Sequence, residues 1–156
     1  MKSYVVKYKF SQNFIFPAEE AYKWCTDFHS DDWARMNVDG ERKIKQVNEE
    51  TILLTDTISG TAGKVTKKRL VRLFPERLFW TNTRISLDGR YSQFLYQIVS
   101  DGEKASHIDF TGSEVFYGGE PSHAEMEKIA EKLAESDASV WKALATAMEK
   151  ELGNRK

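Results

Sequence analysis

The stretch from Ser122 to Leu152 leaves this 156-residue chain few ways to fold. No proline or glycine interrupts it, and Met126, Ile129, Ala130, Leu133, Val140, Trp141, Leu144 and Met148 recur at steps of three and four, which lays one apolar stripe along a helix. Pro121 precedes it, and Ser122 with Glu125 three residues on has the spacing of a capping box; Gly153 supplies a stop. At 1.5 Å per residue such a helix is about 46 Å long, whereas a compact chain of this size is only about 39 Å across. One helix therefore spans the whole molecule, and something of similar extent has to cover its stripe. Asp137 lies four residues after Leu133 and three before Val140, so it points along the middle of the apolar face.

The covering element is written in period two. Tyr4, Val6, Tyr8 and Phe10 alternate with Val5, Lys7, Lys9 and Ser11 and predict a first strand with one buried face that continues toward Phe16. Pro17-Ala18-Glu19-Glu20 opens a helix with its apolar face on Ala21, Tyr22, Trp24, Cys25 and Phe28, and a short second helix is expected over Asp31–Met36. Strands are then expected near Arg42–Val47, Thr51–Ser59, Val65–Phe74, Leu78–Ser86, Tyr91–Ser100 and Ala105–Phe116. The breaks between them are Asn48-Glu49-Glu50, Gly60 to Gly63, Pro75-Glu76-Arg77, Asp88-Gly89 and Asp101-Gly102. Connections this short join antiparallel neighbours, so the six strands form a meander. With the first strand, the α+β reading is a seven-stranded antiparallel curved sheet whose concave face is filled by the C-terminal helix.

This order of elements resembles the START-like helix-grip superfamily, also called SRPBCC, which includes birch-pollen-allergen relatives, lipid-transfer domains and polyketide cyclases. The run from Phe14 to Phe28, FIFPAEEAYKWCTDF, is similar to that superfamily's passage from first strand to first helix, and Leu73-Phe74-Pro75-Glu76-Arg77-Leu78 resembles its turn between middle strands. The resemblance covers nearly the whole chain as element order and rests on turn and packing residues, so it speaks to fold before activity. It implies a single domain over residues 1–156 in which sheet and helix enclose an elongated pocket for a hydrophobic or amphipathic molecule.

Composition narrows the partners. The chain is 40% apolar and 12% aromatic, enough for one core, and its net charge of −1 gives no global attraction to nucleic acid or an anionic membrane. Lys64, Lys67, Lys68, Arg69, Arg72 and Arg77 are concentrated in one stretch, but a strand puts only about half of them on one surface. No apolar run approaches the ~20 residues of a membrane span, and MKSYVVKYKF lacks the apolar core of a signal peptide. A lone cysteine, Cys25, forms no internal disulfide and fits a reducing cytosol, so a cytoplasmic protein is expected.

Motifs for cofactor chemistry are missing. Gly60-Thr61-Ala62-Gly63-Lys64 has two residues where a phosphate loop has four, and Val65 follows the lysine, so it reads as a hairpin turn. Gly118-Gly119 reads as a hinge into the long helix. His29, His107 and His123 have no metal-ligand spacing, and Cys25 with His29 reads as a buried thiol beside an exposed imidazole. No cofactor and no metal are expected.

The inward phases of the strands are more telling. They carry Ile52, Leu54, Asp56 and Ile58; Phe94, Tyr96 and Ile98; and Ile108, Phe110, Gly112, Glu114 and Phe116. Lys67 and Arg69 share the phase of Val71, and Asn82 and Arg84 that of Trp80. A charge in a dry core costs several kcal/mol, so inward charges imply pairing, water or a cavity, unless the strand ends lie outside the helix's shadow or a bulge inverts the phase. The expected site is a polar-lined pocket for a lipid, isoprenoid or polyketide-like ligand. Trp80, Phe94, Tyr96, Phe110 and Trp141 form its apolar wall, and Asp56, Arg69, Glu114 and Asp137 orient a polar group. Two alternatives stay open: a cyclase or dehydratase with Asp137 or Glu114 as general base, and a protein-binding module that docks the basic strand on an acidic partner.

Overall fold

A computed structural model of the chain describes residues 2–85 and 91–154. The elements run β1 (Ser3–Phe14), α1 (Ala18–Thr26), α2 (Asp32–Arg35), β2 (Gly40–Asn48), β3 (Thr51–Gly60), β4 (Gly63–Phe74), a 3-10 turn (Pro75–Arg77), β5 (Phe79–Arg84), β6 (Tyr91–Ser100), β7 (Ser106–Tyr117) and α3 (His123–Gly153). The expected strand end at Ser86 and the turn at Asp88-Gly89 lie outside the described residues. All seven strands pair antiparallel in the order β1-β7-β6-β5-β4-β3-β2, so β2 to β7 form a meander and β1 closes onto β7. Short connections dictate this neighbour pairing.

Local chemistry sets the joints. Gly60 pairs with Gly63 across a two-residue turn, and Gly63 takes φ 104°, a left-handed conformation that favours glycine, so the Gly60–Gly63 segment is a hairpin. Leu78 sits at φ 51° as it closes the 3-10 turn opened by Pro75. At the head of α3 the Ser122 hydroxyl accepts from the Glu125 amide, while the Glu125 carboxylate accepts from the Ser122 amide, completing the capping box. Its other end departs from expectation. Gly153 is the last helical residue, and Asn154 caps in the right-handed region, so no left-handed glycine cap forms.

The sheet and helices make one solid end and one hollow end. At the solid end Ile52, Leu54, Val71, Trp80, Ile98 and Ile108 pack with Ala21 and Tyr22 of α1 and with Met148 and Leu152 of α3. Tyr22 meets Trp80 edge to face at 5.7 Å, and the Trp24 indole donates to Glu151 of α3 at 2.9 Å. Farther back along α3, Met126, Ile129, Leu133, Val140, Trp141 and Leu144 are only half-buried. The stripe is real, but it does not seal onto the sheet along its length. Among the described residues no helix is long and apolar enough to cross a membrane.

Candidate functional site

Register turns the inward strand positions into rows across the concave face. The first row, Leu73–Trp80–Tyr96–Phe110–Phe10, is aromatic, with Trp80 and Tyr96 stacked at 4.7 Å and Phe10 on Phe110 at 4.5 Å. The second, Val71–Asn82–Phe94–Gly112–Tyr8, mixes apolar and polar groups. Beyond it Arg69 pairs with Arg84, and Ser92 pairs with Glu114. The outermost row is Arg42–Asp56–Lys67. Apolar floor thus grades into charged floor within a few residues along β3, β4, β5 and β7.

Between this floor and α3 lies a cavity of about 330 Å³. Trp80, Phe94, Tyr96 and Phe110 form its floor, with Trp141 above them, tilted at 5.5 Å from Tyr96 and 6.3 Å from Trp80. Arg69, Glu114 and Asp137 also line it. Of the nine residues singled out from sequence, Asp56 alone is absent from the wall. It is completely buried behind the wall, clamped by Arg42, which donates through Nε to Oδ1 at 2.7 Å and through Nη2 to Oδ2 at 3.1 Å. Asp56 is a counter-ion to arginine and does not itself face an occupant.

Arg42 is a residue that sequence reasoning passed over. Its third donor, Nη1, reaches Asp32 at the start of α2 at 2.7 Å, and its guanidinium lies over the rings of Phe28 and Trp33 at 5.7 and 5.3 Å. Burial works against its charge, but Asp56 and Asp32 more than compensate and push its pKa up. It thereby fastens α2 against the sheet edge and closes one side of the cavity. Arg69 stands in contrast. Its nearest carboxylate oxygen is Asp56 Oδ2 at 3.7 Å, too far for a hydrogen bond, and its Nε has no hydrogen-bond partner among the described residues. Burial pulls its pKa down; Asp56 opposes that, while Arg42 and Arg84 add to it.

Asp137 is half-buried on the helix side of the cavity and accepts a 2.5 Å hydrogen bond from the Tyr8 hydroxyl. Its partner is therefore neither Arg69 nor Arg84 but a tyrosine of β1. Burial raises the Asp137 pKa above the ordinary carboxylate range, while the Tyr8 bond and the charges of Arg69 and Lys67 pull the other way. Burial and this neighbouring carboxylate push the Tyr8 phenol well up. Tyr8 reaches the helix because it lies over Gly112, where a Cβ would come within 2.6 Å of its ring. An inward glycine within a strand signals such a close approach, and Gly112 carried that signal in the sequence.

Of the remaining candidates, Cys25 lines the same cavity from α1 and His29 does not line it. Burial pushes the Cys25 thiol up, and His29 pairs with Asp27 at 2.9 Å. Within the basic strand, Lys67 and Arg69 face inward while Lys68 and Arg72 are exposed on the opposite face.

A curved seven-stranded antiparallel sheet closed by a long C-terminal helix over an internal cavity is the helix-grip fold. The backbone is similar to that of the Zhui aromatase/cyclase from Streptomyces sp. R1128, with a TM-score of 0.72 at 11% identity over 97% of this chain and 96% of that one. It is also similar to Ara h 8.0201, with a TM-score of 0.72 at 10% identity over 94% and 99% of the two chains. Norcoclaurine synthase from Thalictrum flavum, in complex with dopamine and hydroxybenzaldehyde, gives a TM-score of 0.66 at 15% identity over 99% and 90%. No family model and no curated protein matches the sequence.

Proposed function

We propose that the protein reversibly binds one small amphipathic molecule with a flat apolar body in the cavity between sheet and α3. The observation that carries this reading is the gradient inside a single cavity: Trp80 stacked on Tyr96, with Phe110 edge-on to Tyr96, under Trp141 at one side, and Arg69, Glu114 and Asp137 at the other. Aromatic faces bury a planar body, and a few placed polar groups fix its orientation. The volume, about 330 Å³, lies at the low end of the range for small-molecule sites and favours a compact ring system over a two-chain lipid. Likeness in fold to an aromatase/cyclase and to an enzyme solved with two small aromatic molecules supports the same size class. Native mass spectrometry of the purified protein, with one-to-one displacement of an environment-sensitive dye by flat aromatic compounds, tests it. A dye that binds only unfolded protein refutes it.

A second reading has one observation of its own. The hydrogen-bonded Tyr8–Asp137 pair, with the carboxyl pKa raised by burial, has the form of a general acid and base facing an apolar cavity, as a cyclase or dehydratase requires. Under that reading Asp137→Asn abolishes turnover of a bound substrate while binding persists. Under the first, the same substitution changes affinity alone.

A further inference from the structure

The two arginines that share Asp56 do not share it equally. Arg42 takes both carboxylate oxygens and adds Asp32, so its charge is matched by two anions within hydrogen-bond distance. Arg69 is left with the 3.7 Å approach to an Asp56 oxygen already in use, and with the Trp33 ring 5.8 Å from its guanidinium carbon. Its Nε finds no partner among the described residues. A guanidinium has five donors in a planar fork, and it is costly to bury one so poorly matched. Arg69 is nevertheless built into the cavity wall, on the strand beside Asn82, whose Oδ1 is likewise buried without a partner.

We infer that the occupant's polar end is a carboxylate, and that Arg69 is the residue that receives it. The inference rests on the cavity-binding reading above and adds the ligand's charge and orientation. The aromatic row then takes the ring body, so the acid group points toward the charged side of the floor and away from Trp80. Asp137 does not compete for this role, because it is an acceptor already engaged by Tyr8 on the opposite wall. Arg suits the task better than Lys because its fork matches a carboxylate in two contacts.

The test uses 2-naphthoate and its neutral isostere 2-naphthalenemethanol, titrated into the intact protein by calorimetry. Side-chain Nε–Hε resonances of arginine are followed by NMR in parallel. The expected result is at least about tenfold tighter binding of the acid, the scale of one charge-assisted hydrogen bond, together with a shift of the Arg69 resonance on adding the acid but not the alcohol. Arg69→Met should remove that preference while the alcohol binds within about threefold of wild type, and Arg69→Lys should retain part of it. Equal affinities for the two probes in the wild-type protein overturn the carboxylate assignment and leave the cavity reading standing. Binding of neither overturns both. If Arg69→Met does not fold, the wild-type pair of affinities and the Arg69 resonance decide alone: a preference for the acid without movement of that resonance assigns the anion elsewhere and refutes the role of Arg69.

Discussion

Replacing Gly112 with alanine probes the link between sheet and helix. Gly112 is not in the left-handed region, so backbone conformation does not require glycine there, and the substitution elsewhere in a strand would gain about 0.4–1 kcal/mol from a less flexible unfolded chain. Here the new methyl carbon would stand 2.6 Å from Tyr8 Cζ, 2.7 Å from Cε1 and 3.0 Å from the hydroxyl oxygen. Carbon atoms in contact rest about 3.5–4.0 Å apart, so the ring has to retreat by roughly 1 Å. That retreat stretches the 2.5 Å bond to Asp137 to the limit of hydrogen bonding. Overpacking of this kind costs about 1–3 kcal/mol and a lost hydrogen bond to a carboxylate about 1.5–3, together about 2.5–6 kcal/mol. In a Tyr8→Phe background the bond is already gone, so Gly112→Ala should cost only the overpacking share. Urea unfolding of the four proteins in that cycle should give a coupling of about 1.5–3 kcal/mol. A coupling below about 0.5 kcal/mol, or a Gly112→Ala protein as stable as wild type, refutes the argument that Gly112 exists to seat Tyr8 against the helix.

Two further substitutions address the charged groups. Burial raises the Asp137 pKa in the folded state, so the folded protein holds that proton more tightly than the unfolded chain does. The stability this contributes is complete below the unfolded value of about 3.9 and is lost as pH rises through the raised folded value. Asp137→Asn keeps an acceptor for Tyr8 and should abolish this part of the pH dependence; stability curves of the two proteins that run parallel from about pH 3 to pH 8 contradict it. Asp56→Asn removes the carboxylate that Arg42 grips with two donors and leaves two buried guanidinium groups with Asp32, which should cost about 3–5 kcal/mol in chemical denaturation. A loss under about 1 kcal/mol shows that Asp32 alone suffices for Arg42.

Much of this was legible because the governing signals are local. Period-two alternation placed Arg69, Asn82, Arg84 and Glu114 on the inward face, and a capping box fixed the head of α3 to the residue. What escaped depends on register and on contacts distant in sequence. Asp56 has the right phase for the wall, but Arg42 is its cross-strand partner on β2, and only that pairing withdraws it behind the surface. Tyr8 and Asp137 stand 129 positions apart, and nothing in either segment announces the other. The four residues of α2 were too few to show how firmly they would be held, since their anchor is the Asp32 bond to Arg42 and not helix propensity.

The half-buried stripe follows from where α3 is tied down. Its last turns carry the completely buried Met148, the buried Leu152, and Glu151, which accepts from Trp24 of α1 and pairs with Arg35 of α2 at 3.1 Å. Among the described residues its middle is joined to the sheet by one side-chain hydrogen bond, from Tyr8 to Asp137, and the bulk of Trp141 over Trp80 and Tyr96 holds the two layers apart. Closing the gap would require small residues at those positions and would take the Arg69 guanidinium, which among the described residues has no carboxylate within hydrogen-bond distance, out of reach of water, at several kcal/mol. The charged floor therefore disfavours collapse, and the solid end supplies the apolar burial that the hollow end forgoes. The middle of α3 packs on the core only through partly buried residues such as Leu133, Ala134 and Trp141, so local opening over the cavity should cost less than disruption of the core around Ile108 and Met148.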